Sequence, residues 1–314
     1  MPEPDPAGPR EVLLRVHQAG VCGTDRELAQ FRYGYPPAGV SHMILGHEAL
    51  GQVIGTGEWV VPVIRRACAP PCASCARGRR DLCLTSHYRE RGIFGAHGYF
   101  CDWAADDPAD LVGVPPELAD RAVLVEPMSV VEKAIARACQ THPGEPATAL
   151  VLGAGPIGVL AALALRLRGL GVSLASLEPR DHPRARLLER AGIQYSSIPD
   201  RTPPMADIVI EAAGAPAAAL AAVQSLNPLG VAVLLGAPEM PPGLPLLDFI
   251  AGNCTVLGSV NAGPESFAAA VEDLACLDSH VLDALIRRAA FGDFAASILG
   301  PPGEAVKIVH ILAE

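Results

Sequence analysis

Ala149-Leu150-Val151-Leu152-Gly153-Ala154-Gly155-Pro156-Ile157-Gly158 is the stretch on which the fold turns. An apolar run of strand length, Ala149–Leu152, meets a Gly-x-Gly-x-x-Gly spacing, and an Ala-rich helical pattern, Gly155–Leu167, follows. Alone, that glycine spacing is weak and fits an ordinary strand-to-helix turn. Here it lies between a strand and a helix, ahead of a second strand at Val172–Leu177, and in that context it is the fingerprint of a dinucleotide site. Gly153 permits the tight turn, Gly155 lets backbone amides approach a pyrophosphate, and Gly158 lets the helix pack on the strand. Pro156 and Ile157 open the helix, whose N-terminus faces the phosphates. Glu178 follows the second strand, 25 residues after Gly153. An acid there accepts hydrogen bonds from the ribose hydroxyls and repels a 2′-phosphate, which favours NAD over NADP. Arg180, two residues on, is suited to a 2′-phosphate, so NADP stays open.

The alternation spreads outward from this run. Downstream come a helix at Arg184–Ala191 and strands at Ile208–Glu211, Val231–Leu235 and Thr255–Leu257. Upstream, Pro127–Cys139 reads as a helix with Ser129 as its cap. Alternation of this kind predicts an α/β, doubly wound parallel sheet with helices on both faces. Residues 11–125 differ in texture: Gly and Pro interrupt short β-like runs at Glu11–Val16, Gly51–Ile54 and Trp59–Ile64, as in an irregular all-β domain. Beyond residue 262 a helix at Glu265–Leu277 leads to a strand-like run, Val306–Leu312, with no partner in the parallel sheet. The expected division is 1–125, 126–262 and a C-terminal segment, 263–314, that rejoins the first domain.

With 314 residues the chain is long enough for two domains. Aromatics are only 4% of the residues, so the core must be built from Ala, Leu and Val. A net charge of −10 argues against a nucleic-acid surface. No apolar run matches a membrane span, since Ala149–Leu165 carries Gly and Pro. Nothing like an export signal precedes residue 20, which predicts a reducing, cytoplasmic setting. There, the four cysteines Cys68, Cys72, Cys75 and Cys83, within sixteen residues, point to metal rather than disulfides. A closed site of four sulfurs suits tetrahedral Zn²⁺ in a structural role. The basic run Arg77-Gly78-Arg79-Arg80 reads as a solvated loop around that anionic centre. Cys101, Cys139, Cys254 and Cys276 read as small buried hydrophobes.

Three upstream pieces remain: Cys22-Gly23-Thr24-Asp25, Gly46-His47-Glu48 and Glu126-Pro127. Each is unremarkable alone. In this order, with the cysteine lobe and the dinucleotide run, they resemble the zinc-containing medium-chain alcohol dehydrogenase superfamily over nearly the whole chain. Cys22–Glu27, Gly46–Gly51, Glu90–Ile93, Glu126–Ala134 and Leu257–Asn261 are similar, more closely, to the archaeal-type glucose dehydrogenase branch. The resemblance implies a GroES-like catalytic domain joined to a Rossmann domain, and oxidation of an aldose at C1 to the lactone. It implies a catalytic Zn²⁺ held by Cys22, His47 and Glu126, with Glu48 bound directly or through water. Asp25 would orient His47, and Thr24 would pass the substrate proton toward solvent. Glu90 and Asn261 match positions that contact sugar hydroxyls or the nicotinamide side, with Glu126 also beside substrate. The superfamily forms homodimers and homotetramers.

The physical chemistry agrees with a polyhydroxylated substrate, because the chain has few aromatics to line a pocket for a simple apolar alcohol. A polyol, amino-polyol or threonine-type dehydrogenase fits the same scaffold, and a catalytically silent nucleotide-binding protein is the alternative from another class. Four departures from the branch stand out. The first cysteine spacing carries one extra residue, the chain starts late, the segment Gly51–Cys68 is short, and Glu178 stands where the branch tends to have arginine.

Overall fold

The computed structural model describes residues 10–198, 202–236, 246–300 and 305–313. Residues 1–9, part of the stretch read as lacking an export signal, lie outside the described residues. The chain divides into two compact units. The first comprises residues 1–129, 261–276 and 285–314; the second comprises 130–260 and 277–284.

The first unit opens with β1 (Val12–Val21), α1 (Gly23–Ala29), β2 (Glu48–Val53) and β3 (Trp59–Pro62). Three very short strands follow, β4 (Arg65–Arg66), β5 (Arg89–Arg91) and β6 (Gly95–Ala96), and then β7 (Trp103–Asp106) and β8 (Leu111–Gly113). α2 (Val125–Thr141) begins in this unit and continues into the second. It starts two residues before the expected helix, after a run of tight turns over Pro116–Leu124, so Ser129 is not its cap. The Ser129 hydroxyl instead donates back to the Glu126 carbonyl at 2.6 Å, the local bond a mid-helix serine makes.

The second unit carries β9 (Thr148–Leu152), α3 (Pro156–Leu167), β10 (Gly171–Ser176), α4 (Pro183–Arg190) and β11 (Gln194–Ser197). It continues with β12 (Ala206–Glu211), α5 (Pro216–Gln224), β13 (Leu226–Leu234), α6 (Leu246–Ala251) and β14 (Thr255–Gly258). Its six strands form one parallel sheet in the order β11-β10-β9-β12-β13-β14, with β9 central. Central parallel strands are covered on both faces, which is why Ala149–Leu152 and Ile208–Ile210 are continuous, buried apolar runs. Leu150, Leu152, Val209 and Ala232 meet in that core. α3 adds Val159 to Leu165, all buried.

α7 (Pro264–Cys276) belongs to the first unit. Chain order then gives α8 (Ser279–Leu285), β15 (Ile286–Ala290), α9 (Phe294–Leu299) and β16 (Lys307–Ile311). The first unit's main sheet runs β15-β16-β1-β2-β3-β8, with β7 also on β1, and β4-β5-β6 form a small second sheet. β16 pairs antiparallel with β1, Gly20 opposite Val309, which brings the C-terminal strand to the start of the chain. Val16, Leu28, Ile64, Ile93 and Tyr99 fill the core beneath. No helix among the described residues is long and apolar enough to cross a membrane.

Two cysteine and charge expectations need correction. Cys276 is exposed rather than buried, and Cys101, Cys139 and Cys254 are only half-buried. Arg80 is not a solvated residue: it is bound to the Asp110 carboxylate, whose other oxygen sits 2.8 Å from Arg66 Nε. A buried acid among apolar neighbours needs such partners.

Candidate metal and nucleotide sites

The catalytic residues expected near the N-terminus are gathered by one buried carboxylate. Cys22 precedes α1, and its N–H donates to Asp25 Oδ2 at 2.8 Å, closing the helix's first turn. Asp25 is fully buried, and its second oxygen accepts the Gly46 N–H at 3.3 Å and stands 3.4 Å from His47 Nδ1. Gly46 has φ +91°, and a Cβ there would lie 2.7 Å from the Phe100 ring, so only glycine fits the bend that presents His47. Glu48 opens β2 opposite Gly20 of β1. Ligand atoms of Cys22, His47 and Glu48 all lie within 4.8 Å of one another. Thr24 Oγ1 is 3.9 Å from Cys22 Sγ.

Glu126, in the first turn of α2, is buried close enough to His47 and Glu48 to feel their charge. Burial pushes its carboxyl up to about 7, with His47 pulling it down and Glu48 pushing it further up. The closest trio thus contains Glu48 rather than Glu126. The His47 ring behaves in the opposite sense. Burial disfavours its charged form, yet the negative charges of Asp25 and Cys22 carry its pKa well above 6.5. A sulfur, an imidazole and a carboxylate are the donor set of an open zinc site, so these residues fit a divalent cation.

Sequence reasoning missed one participant. Lys307 on β16 is fully buried, with Nζ 2.7 and 2.6 Å from the two Glu48 oxygens and 3.3 Å from the Val21 carbonyl. Burial works against its charge, but Glu48 and Cys22 outweigh it and raise the pKa. Glu48 therefore reaches across Gly20 of β1, which has no side chain to block it, to a lysine on the strand beyond.

Glu90 lies on β5 and is buried. Asn261, in the left-handed region at φ +58°, donates from Nδ2 to Glu90 Oε1 at 2.9 Å. The two proposed sugar-contact residues are thus hydrogen-bonded to each other.

The sulfurs of Cys68, Cys72, Cys75 and Cys83 converge within 4.8 Å, despite the extra residue in the first spacing. Backbone N–H groups aim at them: Cys72 N–H at Cys68 Sγ (3.1 Å) and Leu84 N–H at Cys72 Sγ (3.4 Å). Such donors favour thiolate, and hydrogen bonds from backbone amides hold the Cys72 thiol at about 6. Burial pushes Cys75 up to about 12. Only a cation brings four crowded sulfurs to the thiolate form together, so this donor set fits a structural metal.

In the second unit the glycine turn follows β9. Gly153 has φ +107°, and a Cβ on Gly158 would lie 2.0 Å from the Gly153 carbonyl oxygen. Gly155, the N-cap of α3, has open space where a Cβ would be, leaving a way in to the N–H groups of Ile157 and Gly158, since Pro156 has none. Fully buried Glu211, at the end of β12, accepts from Ala213 and Gly214 N–H (2.8 and 2.7 Å) and Gly236 N–H (3.3 Å). It orders the loop that packs against Gly153, and its role was not read from the sequence. Glu178 follows β10, bound by the Ser176 hydroxyl and 3.2 Å from Arg184 NH1. Burial opposes its charge, but the Ser176 bond and Arg184 hold its carboxyl below the usual range. Arg180 is largely exposed and paired with Glu189 at 3.0 Å.

The family model described as the glucose dehydrogenase C-terminus matches residues 119–309, and that described as the alcohol dehydrogenase GroES-like domain matches residues 8–116. Glucose 1-dehydrogenase of Thermoproteus tenax is 42% identical over 87% of this chain and 82% of its own length. Glucose 1-dehydrogenase 2 of Vulcanisaeta moutnovskia is 39% identical over 84% and 80% respectively. The solved structure of Haloferax mediterranei glucose dehydrogenase in complex with NADP, Zn and gluconolactone matches with a TM-score of 0.92 at 30% identity. That match covers 100% of this chain and 95% of the other.

Proposed function

Because the chain belongs to the glucose dehydrogenase family of medium-chain dehydrogenases, we propose that it oxidises an aldose at C1 to the lactone with NAD(P)⁺ as hydride acceptor. The observation that carries the reading is the convergence of Cys22, His47 and Glu48 within 4.8 Å, with buried Glu126 beside them. Cys22, His47 and Glu126, with Glu48 directly or through water, would hold a catalytic Zn²⁺, and Cys68, Cys72, Cys75 and Cys83 a structural one. A bound zinc ion supplies Lewis acidity toward the C1 hydroxyl, and the nicotinamide supplies the hydride acceptor.

The chain's own residues do the rest. Asp25, with Oδ1 3.4 Å from Nδ1, would orient the His47 ring. Oxidation removes a hydride from C1 and a proton from its hydroxyl, and the Thr24 hydroxyl beside Cys22 takes up and passes on that proton. Glu90 and Asn261 hold sugar hydroxyls, which a polyol would also offer. A polyol, amino-polyol or threonine-type dehydrogenase is the second reading, since those enzymes differ in pocket residues rather than metal ligands.

The Gly153–Gly158 turn binds the pyrophosphate, and ionised Glu178 favours NAD by accepting from the ribose hydroxyls. NADP remains usable through Arg180 and Arg184, and the Haloferax structure holds NADP. The chain works as a homodimer or homotetramer, a reading supported by β14, which among the described residues ends its sheet with Val256 exposed on it. Nine free cysteines suit the reducing cytoplasm.

The test is a panel of aldoses and polyols assayed with NAD⁺ and NADP⁺, with zinc counted on the same sample. Reduction with glucose or a close aldose, and with two zinc ions per chain, is the expected result. Turnover of polyols alone would move the reading to the second class, and no reduction with any of them would overturn it.

A further inference from the structure

We propose that Arg65 is a positioning residue for the sugar-binding carboxylate Glu90, and that it is anchored on the four-cysteine lobe. The proposal rests on the aldose reading and deepens it. Arg65 and Glu90 stand directly opposite each other across the β4–β5 pair. Arg65 Nε donates to Glu90 Oε1 at 2.7 Å, and both side chains are 5% exposed. The guanidinium is fixed on two further sides. Its NH1 donates to the Asp81 carbonyl at 3.1 Å, inside the segment between Cys75 and Cys83. Its plane lies over Tyr88, with Cζ 3.8 Å from the ring centroid.

Asn261 Nδ2 donates to the same Glu90 oxygen at 2.9 Å. Two donors therefore meet on Oε1, and neither engages Oε2. A carboxylate pinned through one oxygen presents the other in a fixed direction, which is what orienting a sugar hydroxyl requires. The position asks for arginine. A planar fork can donate in two directions and stack on a ring at once, and an ammonium cannot. Through the Asp81 carbonyl, the order of the cysteine lobe reaches the sugar-binding carboxylate, giving the lobe a part in substrate recognition as well as in stability.

The test compares wild type with Arg65→Lys and Arg65→Met for KM and kcat over glucose and its monodeoxy analogues. Thermal stability and zinc content are measured on the same samples, and Glu90→Gln and the Glu90→Gln/Arg65→Met double variant are included. Loss of an oriented charge-assisted contact should raise the glucose KM about tenfold in Arg65→Met, with kcat affected much less. The preference for glucose over the one deoxy sugar lacking the Glu90-bound hydroxyl should shrink by a similar factor. On the Glu90→Gln background the Arg65 change should add little, because both act through one group. Arg65→Lys keeps the charge and is expected to fold; it should show the same KM shift, and it decides the matter if Arg65→Met does not fold. A lower melting temperature with unchanged KM, or fully additive effects in the double variant, would overturn the proposal. Wild-type protein that turns over no aldose would remove the functional reading and this proposal together. Aldose turnover with an unchanged KM in both Arg65 variants would remove this proposal alone.

Discussion

At the scale of single residues, the chemistry is set by charges that cannot reach water. Lys307 and Glu48 neutralise each other with 1% exposure apiece. Removing one partner strands the other, so Lys307→Met should cost about 3–5 kcal/mol in denaturant unfolding, and Glu48→Met/Lys307→Met should recover much of it. A double variant as unstable as the single one would mean that the pair is not what Lys307 contributes. Glu126 gives a pH signature. Burial lifts its carboxyl from 4.5 to about 7 in the metal-free chain. A folded pKa above the unfolded one contributes stability that is whole below about pH 4.5 and is lost as pH rises through about 7. Chelator-treated protein should therefore lose melting temperature across that window, and Glu126→Gln should flatten the slope; an identical slope in the variant would exclude Glu126 as its source. A bound cation prefers the carboxylate and should weaken this dependence in the loaded protein. Cys22 and His47 stood out as candidate ligands because each has local companions, Thr24-Asp25 and Gly46, and the structure brings them together with Glu48. Lys307 did not, because its partner is 259 residues away and nothing around Lys307 marks it. Arg65 was hidden for a similar reason: a basic residue in a loop-rich segment reads as solvated until its cross-strand partner is known.

At the scale of elements, legibility followed burial. β9, β12 and the Val231–Val233 half of β13 are buried, and such strands are continuous apolar runs that stand out in sequence. β4, β5 and β6 are two or three residues long and have no period to detect, although they carry Arg65 and Glu90. Ser129 misled because a serine near an apolar helical pattern looks like a cap, whereas the preceding turns had already started the helix. The glycine turn is the element whose geometry is least forgiving. A methyl group at 158 would lie 2.0 Å from a main-chain oxygen that is held in place by the left-handed Gly153. Either α3 or the turn must move, and overpacking of this kind costs about 1–3 kcal/mol. Gly158→Ala should thus weaken NAD⁺ and NADP⁺ binding about tenfold or more, with the zinc content of the purified protein unchanged. Calorimetric affinities equal to wild type would mean that the turn does not carry the pyrophosphate.

At the scale of the whole molecule, the chemistry is divided between units of different construction. All the proposed metal ligands lie in the first unit, assembled from β1, α1, β2, α2 and the cysteine lobe. The glycine turn and Glu178 lie in the second, on its parallel sheet. The first unit is also discontinuous in sequence. Its sheet is completed by β16, and that strand brings Lys307 to Glu48. The strand-like run near the C-terminus could be seen in the sequence, but the residue it delivers could not, because antiparallel register with β1 is fixed only by folding. The division has a consequence for mutation. Cys22→Ala removes a sulfur from the first unit, whereas the nucleotide turn belongs to the second, so the two losses should separate. Aldose-dependent reduction should fall by several orders of magnitude, metal content should drop from two ions per chain to one, since two ligand clusters are present, and NAD⁺ affinity by calorimetry should stay within about twofold. Retained turnover would exclude Cys22 as a ligand of the catalytic ion, and a matching loss of nucleotide affinity would show that the two units are energetically coupled rather than separate.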